Sequence, residues 1–135
     1  MLKSIGSIFF VNCSIINIHY MDTTLPVINR IYELYKLATD LNAHAEKRWR
    51  YSLCMSLETS ILACLEECIM AKNAPKPMKA AYLIKASAHL ETAVLKLRLM
   101  LELGIANETR IFQAQAIAAE IGKMLGGWLR SQNTA

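Results

Sequence analysis

The sequence predicts an all-α protein, an up-down-up-down antiparallel four-helix bundle. After residue 25, apolar residues recur at the three- and four-residue spacing of helices, and prolines or glycines separate the periodic segments. No long alternating apolar and polar run, the pattern typical of strands, occurs after Met21. The predicted loops are short, at about 3–8 residues, and short loops make sequential helices antiparallel.

The composition fits one globular domain. The chain has 135 residues, of which 54% are hydrophobic and 19% are charged, and this is enough apolar material for one core. The formal net charge is +4, which points towards an anionic partner but is too small for a monomer that coats nucleic acid by itself. Cys13, Cys54, Cys64 and Cys68 show no metal-binding spacing, so we interpret them as buried, reduced residues of a cytoplasmic protein.

The first twenty residues differ from the rest of the chain. Ser4 to Ile18 contains no charged residue, yet it is shorter than the roughly 20 apolar residues of a membrane span. A signal peptide is the alternative, although no small-residue cleavage site follows this stretch. We favour Met21 as the true start, with the preceding residues translated from an upstream start codon. The predicted divisions are an N-terminal extension (1–24), the bundle (25–131) and a disordered tail (132–135).

The first predicted helix extends from Val27 to Leu41. Its apolar residues recur every three or four positions, so one stripe faces inward. Asn42 and His44 interrupt the pattern and end the helix. The inward residues are Ile28, Ile31, Leu34, Tyr35, Ala38 and Leu41.

The second predicted helix begins at Glu46 or Lys47 and ends at Met70. Pro75 and Pro77 stand at alternate positions after it, and prolines so placed cannot continue a helix. The inward residues are Leu53, Leu57, Ser60, Ile61, Cys64 and Cys68.

The third predicted helix extends from Met78 to Leu103. It ends at Gly104, because glycine most easily adopts the left-handed conformation of a C-cap. The inward residues are Leu83, Ala86, Leu90, Ala93 or Val94, Leu97 and Leu101.

The fourth predicted helix extends from Glu108 to Ser131. Asn107 is suited to be its N-cap, and the Glu108 carboxylate in the first turn complements the helix dipole. The inward residues have the spacing of a coiled-coil seam. They are Ile111, Ala114, Ala118, Ile121, Leu125 and Trp128.

Small residues form a ridge on this fourth helix. Ala114, Ala118, Gly122 and Gly126 recur at every fourth position, and a glycine inside a helix costs about 1 kcal/mol relative to alanine. Close approach of another backbone would offset that cost. The ridge therefore packs either against a neighbouring helix of the same bundle or against another subunit, and Trp128 is large enough to anchor either arrangement.

Basic residues form candidate contacts to nucleic acid or to a protein partner, the alternative being an ordinary solvated surface. One cluster begins the second helix, another lines the loop before the third, and the rest lie along the third and fourth helices. The first two clusters fall at opposite ends of an antiparallel bundle, so only an oligomer joins copies of them into a continuous field. The candidates are Lys47, Arg48, Arg50, Lys72, Lys76, Lys79, Lys85, Lys96, Lys123 and Arg130.

Other charged residues are spaced to pair locally. Arg98 and Glu102 are four residues apart, and Glu120 and Lys123 are three apart, so each pair shares a helix face. Such surface pairs contribute a few tenths of a kcal/mol and indicate no function.

Catalytic motifs are missing from the sequence. The histidines His19, His44 and His89 lie in different segments, and there is no Glu-x-x-His pair of the kind that binds di-iron centres. Neither a Gly-x-Ser-x-Gly motif nor a phosphate-binding P-loop occurs. We expect no enzymatic activity, no cofactor and no metal.

The C-terminal half of the chain resembles a known family. Ala119 to Arg130 reads AEIGKMLGGWLR, and it follows the helix HLETAVLKLRLMLEL at His89 to Leu103 and the loop Gly104 to Asn107. These segments are similar to the accessory variability proteins (Avd) of diversity-generating retroelements. Avd proteins belong to a wider family of four-helix bundles that includes proteins encoded in ribosomal RNA intervening sequences. The similarity covers roughly residues 28–131.

This resemblance implies a function. Avd proteins form a homopentameric barrel of four-helix bundles and bind the reverse transcriptase and the template RNA of the retroelement. They support error-prone copying of a template repeat into cDNA and are not catalysts. The expectation is a cytoplasmic, homopentameric accessory protein that binds reverse transcriptase and RNA or cDNA and no membrane. The alternative is a structural bundle of the intervening-sequence type with no nucleic-acid role.

Overall fold

A computed structural model describes residues 26–133. In this range the protein is all-α, with four helices and no strand, which confirms the all-α part of the prediction. The predicted start at Met21 and the last two residues of the predicted tail lie outside the described residues. No helix within residues 26–133 combines the length and the apolar character needed to cross a membrane.

The helix bounds lie within three residues of those predicted from the sequence. α1 is Pro26–Ala43, α3 is Lys76–Glu102 and α4 is Glu108–Gln132. We use α2 for the helical run between Ala43 and Lys76. Its parts are Lys47–Trp49, a π-helical turn at Arg50–Cys54 and the α-helix Met55–Asn73. The π-helical turn was not predicted.

Local sequence explains the connection between α3 and α4. Gly104 has φ +65°, and the Ile105 N–H donates to the Met100 carbonyl at 3.0 Å, as in a Schellman motif. The Asn107 side chain accepts the Arg110 backbone N–H at 3.2 Å, which satisfies one of the free donors of the first turn. Both predicted caps are confirmed.

One core of aliphatic, alanine and cysteine side chains lies between the helices. Most predicted inward residues are buried, and the thiols of Cys54, Cys64 and Cys68 are buried and free. The prediction is wrong at the end of α3, where Met100 is buried and Leu101 only half-buried. The buried residues of α3 keep a regular alternation of three- and four-residue steps, so the step after Leu97 is three residues, to Met100, and not four, to Leu101. The other predicted inward residues that are only half-buried are Ile28, Tyr35, Leu53, Val94 and Trp128.

Each helix packs against two others. α1 and α3 each contact both α2 and α4. Arg30 near the start of α1 pairs with Glu120 of α4, whereas Asp40 near the end of α1 pairs with Arg110 in the first turn of α4 at 3.0 Å. Residues that come later in α1 therefore meet residues that come earlier in α4.

Candidate nucleic-acid interface

Arg50 caps the end of α1. Its Nε donates to the Ala45 carbonyl at 2.9 Å and its Nη2 donates to the Ala43 carbonyl at 3.1 Å. Carbonyls after the last helical turn have no donor within the helix, so the guanidinium supplies one. Arg50 therefore has a structural role, and its predicted contact with nucleic acid stays a prediction.

The π-helical turn lies beside a buried amide that sequence reasoning missed. Asn42 was predicted to end α1, but it lies inside the helix and is only 7% exposed. Its Nδ2 donates to the Cys54 backbone carbonyl at 3.0 Å and to a Glu58 carboxylate oxygen at 2.9 Å. A side chain that enters the hydrogen-bond ladder in this way accompanies a local change of helical repeat. Asn42 thus ties α1 to the start of α2.

Lys79 caps the C-terminal end of α2, as Arg50 caps the end of α1. Its Nζ donates to the carbonyls of Ala71 at 2.7 Å and Lys72 at 3.0 Å. These carbonyls belong to the last turn of α2, where a cation also interacts favourably with the helix dipole. Lys79 therefore holds the start of α3 against the end of α2.

Lys96 links the middle of α3 to α2. Its Nζ donates to the Ser60 hydroxyl at 2.6 Å and to the Ser56 carbonyl at 3.0 Å. Burial lowers the pKa of the Lys96 ammonium, because a low-dielectric environment disfavours the charged form. This side chain crosses between two helices, so its first role is also structural.

The remaining candidates lie at the surface. Arg48 pairs with Glu46 at 3.3 Å, and its guanidinium lies 4.9 Å from the centre of the Trp49 ring. Lys85 lies 5.8 Å from the centre of the Tyr82 ring. Lys72 is half-buried, and the other side chains are exposed: Lys47, Lys76, Lys123 and Arg130.

One of the two predicted local ion pairs is wrong. Arg98 and Glu102 pair at 3.0 Å as expected. Glu120, however, accepts from Arg30 Nε of α1 at 2.7 Å, and within residues 26–133 no salt bridge involves Lys123. A bidentate guanidinium holds a carboxylate better than a flexible ammonium does. Lys123 is consequently left exposed without an acidic partner in the described part of the chain.

The small-residue ridge divides into two parts. Ala114 and Ala118 are buried inside the chain's own bundle, at 0% and 1% exposure. Gly122 is exposed and Gly126 is half-buried. A Cβ on Gly122 would lie 3.7 Å from Leu90 Cδ2, an ordinary van der Waals distance. A Cβ on Gly126 would lie 3.4 Å from the end of the flexible Arg130 side chain. Packing within one chain therefore explains the alanines but not the glycines.

A shallow apolar groove of about 400 Å³ lies between α3 and α4 beside these glycines. Near it, Leu95 is 62% exposed, and Phe112 farther along α4 is 53% exposed. The leucines on more than one face of α3 are the signal in the sequence that indicates this surface. The lining residues are Leu90, Glu91, Val94, Leu95, Ala118 and Gly122.

A second pocket, of about 260 Å³, lies near the α1–α2 loop and the start of α4 and includes Asp40, His44 and Arg110 in its lining. Its polar groups already contact one another, since the Asp40 carboxylate forms an ion pair with Arg110 at 3.0 Å and His44 Nδ1 lies 2.9 Å from the Asp40 backbone carbonyl oxygen. Within residues 26–133 no three His, Cys, Asp or Glu side chains are placed to hold a metal ion.

Comparison of the whole chain with models of known protein families and with curated proteins gives no match. The similarity to Avd proteins is therefore a hypothesis that depends on the motifs of α3 and α4.

Proposed function

We propose that this protein is a non-catalytic accessory protein of a diversity-generating retroelement. It acts as a cytoplasmic, oligomeric scaffold that binds the reverse transcriptase together with template RNA or cDNA. The motifs of α3 and α4 support this proposal, and the four-helix architecture is compatible with it. A gene for a reverse transcriptase next to this one, accompanied by paired variable and template repeats, would support it further.

The four helices form an up-down-up-down antiparallel bundle in this proposal. The contacts of Arg30 with Glu120 and of Asp40 with Arg110 support opposite directions for α1 and α4. For α2 and α3, support comes from Lys96 meeting Ser60 while Lys79 meets the end of α2.

The scaffold is a homopentamer in this proposal. Its interface includes the exposed glycines and the apolar groove beside Leu95, because packing within one chain explains neither. Light scattering on the purified chain should then give a mass near five times 15.2 kDa. A monomer at micromolar concentration would contradict the pentamer.

Nucleic-acid binding depends on one observation, the net charge of +4 carried by exposed lysines and arginines. Multivalency in a pentamer raises avidity without any new kind of contact. No base-reading motif is present, so binding should tolerate any sequence. The test is co-purification of the full chain with the reverse transcriptase of its own locus, with and without RNA. Failure to bind either partner at low salt would leave the structural-bundle alternative.

A further inference from the structure

The net positive charge of residues 26–133 lies at one end of the bundle. Leu90 of α3 faces Gly122 of α4. In the antiparallel order proposed above, these two residues therefore lie at the same height along the bundle axis. Lys96 of α3 meets α2 between Ser56 and Ser60. Leu90 precedes Lys96 by six residues, so in antiparallel helices it lies at the same height along the bundle as Cys64 of α2. Pro26 and Val27 of α1 lie beside Met124 and Gly127 of α4. We call residues 26–27, 64–89 and 123–133 the α2–α3 end, and residues 28–63 and 90–122 the α1–α2 end.

The two ends differ in charge. The α1–α2 end holds eight basic and eight acidic side chains and is neutral, whereas the α2–α3 end holds six basic and two acidic ones. No acidic residue occurs between Glu67 and Glu91 or after Glu120. The whole +4 of residues 26–133 therefore belongs to the α2–α3 end. Its basic residues are Lys72, Lys76, Lys79, Lys85, Lys123 and Arg130, and its acidic residues are Glu66 and Glu67.

Ion pairs deepen this difference. At the α1–α2 end, Arg30, Arg48, Arg98 and Arg110 each pair with a carboxylate. The opposite charges of each pair largely cancel, and salt screens what remains of their field beyond about 8–10 Å. At the α2–α3 end, no salt bridge within residues 26–133 involves Lys76, Lys85, Lys123 or Arg130. Only this end projects an uncompensated positive field into solvent.

Two glycines of α4, Gly126 and Gly127, lie at the same end. A Cβ on Gly126 would lie 3.4 Å from Arg130 Nη1, and one on Gly127 would lie 3.9 Å from Arg130 Nη2, so the Arg130 guanidinium lies back along α4 over both glycines. Lys123 precedes Arg130 by seven residues and occupies the same face, about 10 Å away along the axis. The two cations therefore lie on one face of α4. The surface between them carries few side chains, because Gly126 and Gly127 have none.

We propose that the α2–α3 end is the surface to which the sugar–phosphate backbone of single-stranded RNA or cDNA binds, and that the cluster at Lys47, Arg48 and Arg50 lies outside it. This inference rests on the proposed function and locates its nucleic-acid site. Phosphates are the ligand because exposed ammonium and guanidinium groups neutralise them with release of counterions and without any requirement for base identity.

Salt-dependent RNA binding tests the proposal. Fluorescence anisotropy would follow labelled single-stranded RNA with the full-length chain, with a Lys76→Gln/Lys123→Gln variant and with a Lys36→Gln/Lys47→Gln control. The variant and the control each remove two exposed lysines and the same charge. Circular dichroism and the oligomeric mass establish that all three proteins keep the same structure. A Lys85→Gln/Arg130→Gln variant repeats the test at independent positions.

We expect the α2–α3-end variants to bind RNA about tenfold more weakly at low salt, with a log–log salt slope shallower by about 1.4, since each lost phosphate contact removes roughly 0.7. The control should keep the wild-type slope. Equal losses in variant and control, or a larger loss in the control, would overturn the location of the site while leaving RNA binding intact. Binding of the reverse transcriptase without any RNA binding by the wild type would overturn the nucleic-acid role itself.

Discussion

The two ends of the bundle use similar residues for different purposes. At the α1–α2 end, arginines pair with carboxylates or cap a helix, and the small residue Ala114 of α4 is buried. At the α2–α3 end, Lys79 caps α2, but Lys123 is exposed, and Gly126 and Gly127 of α4 are only half-buried. Packing and pairing within residues 26–133 account for every arginine at the first end, but not for Lys76, Lys123 or Arg130 at the second. Residues that the fold does not require are the better candidates for binding.

Enlarging a small residue at the buried part of the ridge should have the largest effect. Ala114→Leu is expected to lower the free energy of unfolding by about 1–3 kcal/mol, because the buried site has no room for three more carbons. Ala116→Leu, two residues away and exposed, should change it by less than about 0.5 kcal/mol. Urea unfolding followed by circular dichroism measures both. Equal effects would show that the ridge is not packed inside the bundle.

Removing the capping cations should come next in size. Arg50→Ala and Lys79→Ala are each expected to cost about 1–2 kcal/mol, because each leaves two backbone carbonyls without their donor. Arg48→Ala and Lys76→Ala are the neighbouring controls, and surface charges of their kind contribute about 0–1 kcal/mol. Thermal unfolding of the four variants would separate structural from solvent-facing cations. Loss of stability in the controls alone would contradict this division.

Gly122→Ala should have the smallest effect on folding, and in the opposite direction. The added methyl group meets Leu90 at an ordinary distance of 3.7 Å, and alanine favours the helix by about 0.5–1 kcal/mol over glycine. The free energy of unfolding of the single chain should therefore rise. Gly122→Leu should keep the helices but reduce the mass found by light scattering if the ridge lies between subunits. Loss of helicity instead would place the ridge inside one bundle.

Sequence reasoning predicted the features that depend on local spacing. The Gly104 C-cap and the Asn107 N-cap satisfy backbone groups within a few residues. The inward stripes likewise follow from the helical repeat. They were wrong at the end of α3, where Met100 rather than Leu101 is buried, and at stripe-edge residues such as Tyr35 and Trp128, which are only half-buried.

Contacts between distant residues were not predictable in this way. Nothing near Lys96 in the sequence indicates that its ammonium reaches Ser60, 36 positions earlier. Local spacing predicted that Glu120 pairs with Lys123. Its actual partner, Arg30, stands 90 positions away, and nothing in the local sequence indicates that contact. The π-helical turn depends on Asn42 of another helix. The uneven charge of the two ends emerged only after the contacts between helices had assigned each charged residue to one end. Which of these cations are paired also required the structure, because sequence alone does not distinguish a paired cation from an unpaired one.

The most direct test is to map where RNA touches the full-length protein. Ultraviolet crosslinking to single-stranded RNA, followed by mass spectrometry of the peptides, identifies contacts without altering the chain. We expect crosslinked peptides from residues 76–85 and 123–130, and none from the segment containing Lys47, Arg48 and Arg50. Crosslinks confined to that segment, or no crosslinks at low salt, would contradict nucleic-acid binding at the α2–α3 end.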